Sequence, residues 1–196
     1  MRAVVLSAVV LIVLTPMAWG QAVTGFTGGS QFPLYYGGST GDVVGFRFTV
    51  NGSDPLEVSD LGVWNQDTAA GYPGLTSDHE VGIWDGAQAL VASVTVTTAG
   101  AVVGDWTYAS ITPVVLSPGQ TYTIGVLYTG TDNDNYVSSA TTMTTATEVT
   151  FVQSVYPSAG SLGFAYPANN SASFGRFGPN FLFTVVPVEL QSFSIE

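Results

Sequence analysis

The sequence predicts an all-β fold, most simply a two-sheet antiparallel β-sandwich of the Greek-key or jelly-roll kind. First, the 196 residues include 23 glycines and 10 prolines, which leave little room for long helices. Second, the apolar residues lean towards Val, Phe, Tyr and Trp, which suit a pleated, half-buried surface. Third, about eight short segments alternate apolar and polar side chains with a period of two. The length and the 46% hydrophobic content are enough for one domain with a buried core.

The first 22 residues have the layout of a secretory signal peptide. Arg2 supplies a positive charge, residues 3–14 are almost wholly apolar, and small residues follow Pro16. The apolar run is shorter than the roughly 20 residues that span a bilayer, so we expect cleavage after Gly20 or Ala22. The expected organisation is a signal peptide over 1–22, one β-sandwich domain over 23–186 and a C-terminal tail over 187–196.

Composition restricts the partners and the location. The chain has fourteen acidic residues, three arginines, no lysine and a formal charge of −11. Nucleic acid binding requires clustered cations that displace counterions, so nucleic acid is excluded as a partner, and anionic membrane surfaces are disfavoured. There is no cysteine, and no later apolar run is long enough for a membrane span after signal cleavage. We expect a secreted protein, extracellular or at the cell surface.

Several segments show the pattern of strands with one buried face. In residues 43–50, Val44, Phe46, Phe48 and Val50 fall on one parity, and Val43, Arg47 and Thr49 fall on the other. Residues 56–63 change parity, which predicts a bulge near Ser59 and Asp60. His79, Val81 and Ile83 share one face of a further strand, opposite Trp84. Residues 23–41, rich in Gly, Ser and Thr, are interpreted as a loop or a short edge strand, and residues 141–145 as an exposed polar loop or strand.

The segment 116–122 (LSPGQTY) adds a topological signal. Pro-Gly sets a tight turn, because Pro fixes φ and Gly accepts a positive φ. The hydroxyl of Tyr122 can then fold back onto the backbone of the turn. This arrangement resembles the tyrosine corner of Greek-key sandwiches.

Two sets of residues are candidates for binding. Acidic side chains in loops suit Ca²⁺, which takes six to eight oxygen ligands. The alternative is that these loops are solvated acidic turns that bind no metal. The candidate ligands are Asp132, Asp134, Asp78 and Asp85. An exposed tryptophan beside carboxylates could bind a sugar. The alternative is that the aromatic rings pack in the core or under a loop. The candidate ligand-binding residues are Trp84, Trp64 and Tyr128. No cofactor other than Ca²⁺ is indicated.

No catalytic residue is assigned. His79, the only histidine, is interpreted as a hydrogen-bonded structural residue at the start of a strand. The serines form no G-x-S-x-G elbow. Nothing in the spacing of the acidic residues selects the pair of carboxylates that a glycosidase needs. The sequence therefore predicts a protein that is not an enzyme.

Several stretches together resemble an uncharacterised bacterial extracellular domain found in PEP-CTERM, exosortase-sorted, surface proteins. The resemblance covers roughly residues 41–185, and its most specific parts are HEVGIWD at 79–85 and FGPNF at 177–181; the other stretches are 45–50, 61–64, 90–93, 108–113, 116–125 and 174–176. It implies export, a β-sandwich and a place in the envelope or biofilm matrix, with no known chemistry. The sequence ends in VPVELQSFSIE, without the Pro-Glu-Pro sorting tail common in such proteins.

The expected function is that of a secreted, non-catalytic structural or adhesive module of the bacterial cell surface or extracellular matrix. The alternative is a glycan-binding module, with or without calcium, and a remote alternative is a glycoside-active enzyme. The expected partner is an extracellular polysaccharide or a second copy of the chain.

Overall fold

The computed structural model describes residues 19–33, 41–65, 74–129, 134–158, 163–171, 175 and 177–187. These residues form strands, turns and loops and contain no helix, and none of them belongs to a helical segment able to cross a membrane. The strands are β1 (Gly20–Gln21), β2 (Val23–Pro33), β3 (Asp42–Val50), β4 (Leu56–Trp64), β5 (His79–Trp84), β6 (Leu90–Val96), β7 (Ala101–Val103), β8 (Trp106–Leu116), β9 (Thr121–Tyr128), β10 (Asn135–Thr145), β11 (Val149–Tyr156), β12 (Asn169–Ser171) and β13 (Pro179–Val185).

The strands form three antiparallel sheets, which confirms the predicted all-β antiparallel class. A five-stranded sheet has the order β1-β13-β4-β8-β7, and a six-stranded sheet has the order β12-β11-β3-β9-β5-β6. The strands β10 and β2 form a separate pair. The five-stranded sheet is curled like half of a barrel.

One hydrophobic core receives side chains from all three sheets. The predicted alternation in β3 is confirmed, because Val44, Phe46, Phe48 and Val50 are all buried in that core. The ring of Phe48 lies 5.0 Å from the ring of Phe181 on β13, which belongs to the five-stranded sheet. Burial of these apolar side chains is the main source of stability for the fold.

The predicted bulge in β4 is confirmed. β4 pairs with β13 on one side and with β8 on the other, and Ser59 has no partner in either pairing. Val58 and Asp60 pair with adjacent residues of β13. The register between β4 and β8 shifts at the same point. The extra residue moves the following side chains to the other face. Leu61 and Val63 can therefore enter the core together with Val58.

The tyrosine corner is also confirmed. The backbone N–H of Ser117 donates to the hydroxyl of Tyr122 at 2.9 Å. Gly119 has a φ of +72°, which a residue with a side chain rarely adopts. The N–H of Gly119 donates to the carbonyl of Val50 at 2.8 Å, so the turn is tied to the end of β3.

The N-terminal region is more regular than the sequence indicates. Residues 23–33 form the eleven-residue strand β2, which pairs with β10. Its partner is more than 100 positions away in the sequence, so no local pattern reports the pairing. Residues 20–22, which the sequence places in the signal segment, also join the fold: β1 pairs with β13 and Ala22 is buried.

Candidate functional site

The three aromatic residues predicted to bind a ligand are all buried. Trp84 is 4% exposed, Trp64 is 7% exposed and Tyr128 is 0% exposed. Trp64 contacts Phe26 and Trp106 with ring centroids 5.4 and 5.1 Å away. The structure therefore gives these residues the packing role that the sequence offered as the alternative.

His79 is also buried, at the start of β5. Its Nδ1 lies 2.8 Å from the carbonyl oxygen of Leu127, and its Nε2 lies 2.8 Å from Oδ2 of Asp134. The Leu127 carbonyl only accepts hydrogen bonds, so Nδ1 must carry a proton. The structural role predicted for His79 matches this geometry.

Asp134 accepts hydrogen bonds on both carboxylate oxygens. Oδ1 accepts from the backbone N–H and the hydroxyl of Thr76, at 2.7 and 2.8 Å, and Oδ2 accepts from the N–H of Ser77 at 2.8 Å. Burial raises the pKa of Asp134, but the hydrogen bonds from His79, Thr76 and Ser77 outweigh burial and hold this pKa below its ordinary value.

These contacts define an ion-pair cluster made of His79, Asp134, Thr76, Ser77 and the Leu127 carbonyl. Thr76 and Ser77 supply three donors to the ionised carboxylate. Nε2 of His79 faces the same carboxylate and must also donate, because an ionised carboxylate only accepts, so the ring donates from both nitrogens and is positively charged. The cluster joins the segment before β5, the end of β9 and the residue before β10. The charged groups of the cluster bond to one another and to neighbouring residues, and these contacts hold the three elements together.

Three of the four acidic residues predicted to bind calcium, Asp78, Asp85 and Asp134, lie in the described part of the chain, and each accepts hydrogen bonds from different residues. Oδ1 of Asp78 accepts from the N–H of Thr98 at 3.1 Å, and Oδ1 of Asp85 accepts from the N–H groups of Ala87 and Ala89, both at 2.9 Å. Asp132 lies outside the described residues. Within the described ranges, no three His, Asp or Glu side chains come together in a group that could hold a metal ion.

A different polar site lies on the outer face of the six-stranded sheet. Arg47 alternates with Phe46 and Phe48 along β3, so its side chain points away from the core. Arg47 pairs across the sheet with Thr123 on β9, and Thr123 also pairs with Trp84 on β5. Arg47 and Thr123 form the floor of the site, and Trp84 continues the row next to it.

A row of glycines beside this floor makes room for a covering segment. Gly45, Gly125 and Gly82 pair with one another across β3, β9 and β5. A Cβ atom on Gly82 would lie 2.7 Å from the ring of Phe164, and one on Gly125 would lie 3.3 Å from the ring of Trp84. Because these positions lack side chains, another segment can lie close against the sheet.

Residues 163–168 are that covering segment. The N–H of Gly163 donates to the carbonyl of Gly41 at 3.0 Å, which fixes where the segment starts. The ring centroid of Phe164 lies 5.3 Å from that of Trp84, and the ring of Tyr166 lies 6.2 Å from Trp84 at a steep angle. The segment therefore buries Trp84 and places Tyr166 at the edge of the Arg47 row.

Arg47 and Tyr166 form the centre of a groove of about 280 Å³, here called the Arg47 groove. The guanidinium of Arg47 donates to the hydroxyl of Tyr166 at 2.8 Å and lies 5.9 Å from the centroid of its ring. The lining residues are Arg47, Asp85, Gly86, Gln88, Thr121, Thr123 and Tyr166. Arg47 is the only arginine in the part of the chain that the structure describes.

The turn between β5 and β6 brings two more polar groups to the groove. The turn is closed by hydrogen bonds from Asp85 N–H to the Ala89 carbonyl and from Gln88 N–H to the Asp85 carbonyl, both at 3.0 Å. Gln88 is exposed and has a φ of +67°, which glycine normally supplies and which costs another residue about 1–3 kcal/mol. Such strain often accompanies a functional position.

The groove offers both hydrogen-bond donors and hydrogen-bond acceptors. A guanidinium has five N–H donors, and one contact, to Tyr166, is found for Arg47 within the described residues. Asp85 supplies a carboxylate, Gln88 an amide, and Thr121 a hydroxyl. This set can bind a small polar molecule through several hydroxyl or carbonyl groups, and the half-buried ring of Tyr166 provides an apolar wall.

Sequence reasoning missed this site. It found Asp85 and Trp84 but had no means of placing Tyr166, which lies 119 positions from Arg47. One signal was present: Gly45, Gly82 and Gly125 each stand between two apolar residues of a strand, and a strand glycine often marks close approach of another segment.

Comparisons with protein-family models, with curated proteins and with solved structures gave no match for this chain.

Proposed function

We propose that the chain is a secreted, non-catalytic adhesive module that binds a neutral, hydroxyl-rich glycan in the Arg47 groove. The observation that carries this proposal is the fixed guanidinium of Arg47, held by Tyr166 on the outer face of the sheet beside a carboxylate and an amide. The predicted signal peptide and the resemblance to PEP-CTERM surface proteins support a place at the cell surface or in the extracellular matrix.

The framework of the module is, in this proposal, a two-sheet sandwich with Greek-key connections. The contact between Phe48 and Phe181 supports it, because these rings come from different sheets. The tyrosine corner at Tyr122 supports it as well, since that motif accompanies Greek-key sandwiches. A rigid sheet would hold the groove ready for a ligand, which reduces the entropic cost of binding.

The chemistry of the groove favours sugar hydroxyls. Each hydroxyl can accept from Arg47 and donate to Asp85, while Gln88 can do both. The volume of about 280 Å³ is close to the lower end of ligand pockets, about 300 Å³, and suits a single sugar ring. The formal charge of −11 would repel polyanions at long range, so the proposed glycan is neutral.

The absence of a catalytic role in this proposal follows from the side chains involved. Hydrolysis of a glycosidic bond uses two carboxylates about 5–10 Å apart, and Asp85 is the one carboxylate among the described residues that line the groove. The imidazole of His79 is held by the Leu127 carbonyl and Asp134. Binding without bond cleavage is the function that these groups support.

The test is a glycan array probed with the purified secreted chain, including neutral and acidic sugars, with and without EDTA. We expect binding to neutral glycans and at least a tenfold loss in Arg47→Met, which keeps the apolar part of the side chain. Gln88→Ala should also weaken binding. Its matched control is Gln120→Ala, because Gln120 is exposed in a different turn, outside the groove.

A wild-type chain that binds no neutral glycan would contradict the proposal, and so would an Arg47→Met variant that binds as tightly as wild type. Loss of binding in EDTA would identify a calcium-dependent form of the same function. Release of reducing sugar from a bound glycan would replace the proposal with the glycosidase alternative.

A further inference from the structure

The sequence permits two positions for removal of the predicted signal peptide. The peptidase accepts small side chains one and three residues before the bond that it cuts. A cut after Gly20 places Gly20 and Ala18 there, and a cut after Ala22 places Ala22 and Gly20 there. The neighbouring bonds would place a proline, a tryptophan or a glutamine at one of these positions. The contacts of the folded chain distinguish the two cuts.

Ala22 belongs to the folded domain. Its side chain is fully buried in the core. Its backbone N–H donates to the carbonyl of Phe181 at 3.0 Å, and its carbonyl accepts from the N–H of Ala146 at 3.0 Å. A cut after Ala22 would remove all of these contacts.

The same cut would place a charge on Val23 in the interior. The N–H of Val23 donates to Oδ1 of Asn180 at 2.9 Å, and Nδ2 of Asn180 donates to the Val23 carbonyl at 2.8 Å. Both residues are fully buried. A chain end at Val23 would replace this amide by an ammonium, and burial of an ammonium costs far more than burial of an amide. The fold therefore disfavours the cut after Ala22.

Gln21 has a specific role at the edge of the five-stranded sheet. β1 and β7 are the two outer strands of this sheet, and Gln21 on β1 contacts both β7 and β8 through its side chain. Its Nε2 donates to the hydroxyl of Tyr108 at 2.7 Å and to the carbonyl of Val103 at 3.3 Å. The amide of Gln21 therefore joins the two edges of the curled sheet.

A cut after Gly20 keeps the contacts of Gln21 and Ala22. It removes the pairing of Gly20 with Phe183 at the outer end of β1. The new ammonium belongs to Gln21, which is half-buried, whereas Val23 is fully buried.

We propose that a signal peptidase hydrolyses the bond between Gly20 and Gln21, so that the secreted chain begins at Gln21 and the side chain of this residue closes the five-stranded sheet. Water adds across the peptide bond, which gives a carboxylate on Gly20 and an ammonium on Gln21. The domain then starts at residue 21 instead of residue 23, the boundary expected from the sequence. This inference rests on the export that is part of the proposed function and is independent of the Arg47 groove.

The contacts of Gln21 also protect its side chain. A glutamine at a chain end can cyclise: its α-amino nitrogen attacks Cδ and forms a C–N bond, and the side-chain nitrogen leaves as ammonia. That nitrogen is the Nε2 atom which donates to Tyr108 and Val103. The folded chain should therefore keep Gln21 in its open form.

The test is expression of the full-length chain in a bacterial host, followed by intact-mass measurement and N-terminal sequencing of the exported protein. We expect Gln21 as the first residue, with its amide intact. Any other first residue, Val23 included, or a chain that still carries the signal peptide would overturn the proposal. A product that begins at residue 21 but is lighter by one ammonia would overturn the role of the Gln21 amide.

A substitution before the cut tests the position directly. Ala18→Leu places a large side chain three residues before the Gly20–Gln21 bond, and small residues still precede the bond after Ala22. We expect at least a tenfold loss of chain that begins at Gln21. Ala8→Leu is the matched control, because it makes the same change inside the apolar run and should be processed as wild type is. Equal processing of the two variants would overturn the proposal.

Thermal melting tests whether Gln21 is part of the secreted protein. Gln21→Met keeps the length of the side chain and removes its amide, so the secreted variant should melt about 2–4 °C lower, as expected for the loss of one hydrogen-bonding group. A chain that began at Val23 would not respond to this change. Gln120→Met, in an exposed turn, is the control and should melt as wild type does. Equal melting of Gln21→Met and wild type would overturn the role of Gln21, and glycan binding by the same samples tests the Arg47 groove separately.

Discussion

The ion-pair cluster and the Arg47 groove use similar groups in opposite ways. At His79 and Asp134 the charges are buried, and both ring nitrogens and both carboxylate oxygens have partners within the protein. At the groove, the guanidinium of Arg47 is half-buried, and its Tyr166 contact uses one of its donors. Buried polar groups whose hydrogen bonds are all made within the protein stabilise the fold. For Arg47, the described residues supply one acceptor, Tyr166, and the proposed glycan would take further donors of the guanidinium.

The largest expected effect comes from breaking the cluster. Asp134→Asn removes the negative charge beside a buried His79, and loss of one member of a buried pair costs about 3–5 kcal/mol. Urea unfolding should show this loss in the free energy of unfolding. Asp78→Asn is the control, because Asp78 is exposed and accepts one backbone hydrogen bond; a loss of similar size in both variants would contradict the special role of Asp134.

Acid should weaken the cluster as Asp134→Asn does, because protonation also removes the negative charge of Asp134. The pKa of Asp134 is lower in the folded chain than its ordinary value, which is about 3.9 in an unfolded chain. Its contribution to stability is therefore present above about pH 4 and is lost as the pH falls from there through the folded pKa. Thermal melts at decreasing pH should show this loss in wild type and a smaller one in Asp134→Asn; equal acid sensitivity would count against the ion pair.

An intermediate effect is expected at the wall of the groove. Gly82→Ala places a Cβ 2.7 Å from the ring of Phe164, so the covering segment must move, at a cost of about 1–3 kcal/mol. Glycan binding should weaken as well, because Tyr166 belongs to the same segment. Gly25→Ala, on β2 outside the groove, adds a Cβ with no heavy atom within 4 Å and should change neither the melting temperature nor the binding. A Gly82→Ala variant as stable as wild type would show that the cover is loosely packed.

The smallest effect on stability should come from Arg47 itself. Arg47→Met keeps the apolar stem and removes one hydrogen bond, to Tyr166, so we expect a change within about 0.5 kcal/mol in the free energy of unfolding, as for ordinary surface positions. Urea unfolding beside glycan binding separates the two roles. A loss of more than about 2 kcal/mol would place Arg47 with His79, as a structural residue.

Features that depend on a few neighbouring residues were predictable. The bulge at Ser59 follows from a change of parity within β4. The Tyr122 corner follows from the Pro-Gly turn that lies between Tyr122 and its hydrogen-bond partner Ser117, five residues earlier. The eleven-residue β2 was not predictable in the same way, because its regularity comes from pairing with β10. The calcium set remains a prediction that involves Asp132, outside the described residues.

By itself, the sequence determined the all-β class, the buried face of strands such as β3 and the excess of negative charge, because side-chain alternation and ionisation are properties of the local chain. Tertiary structure alone decided that Asp134 meets His79 across 55 positions and that Tyr166 meets Arg47 across 119. The physical reason is that strand patterns fix which side of a sheet a residue faces, while the partner on that side depends on how distant segments pack. The roles of the single histidine and of Arg47 were set by that packing.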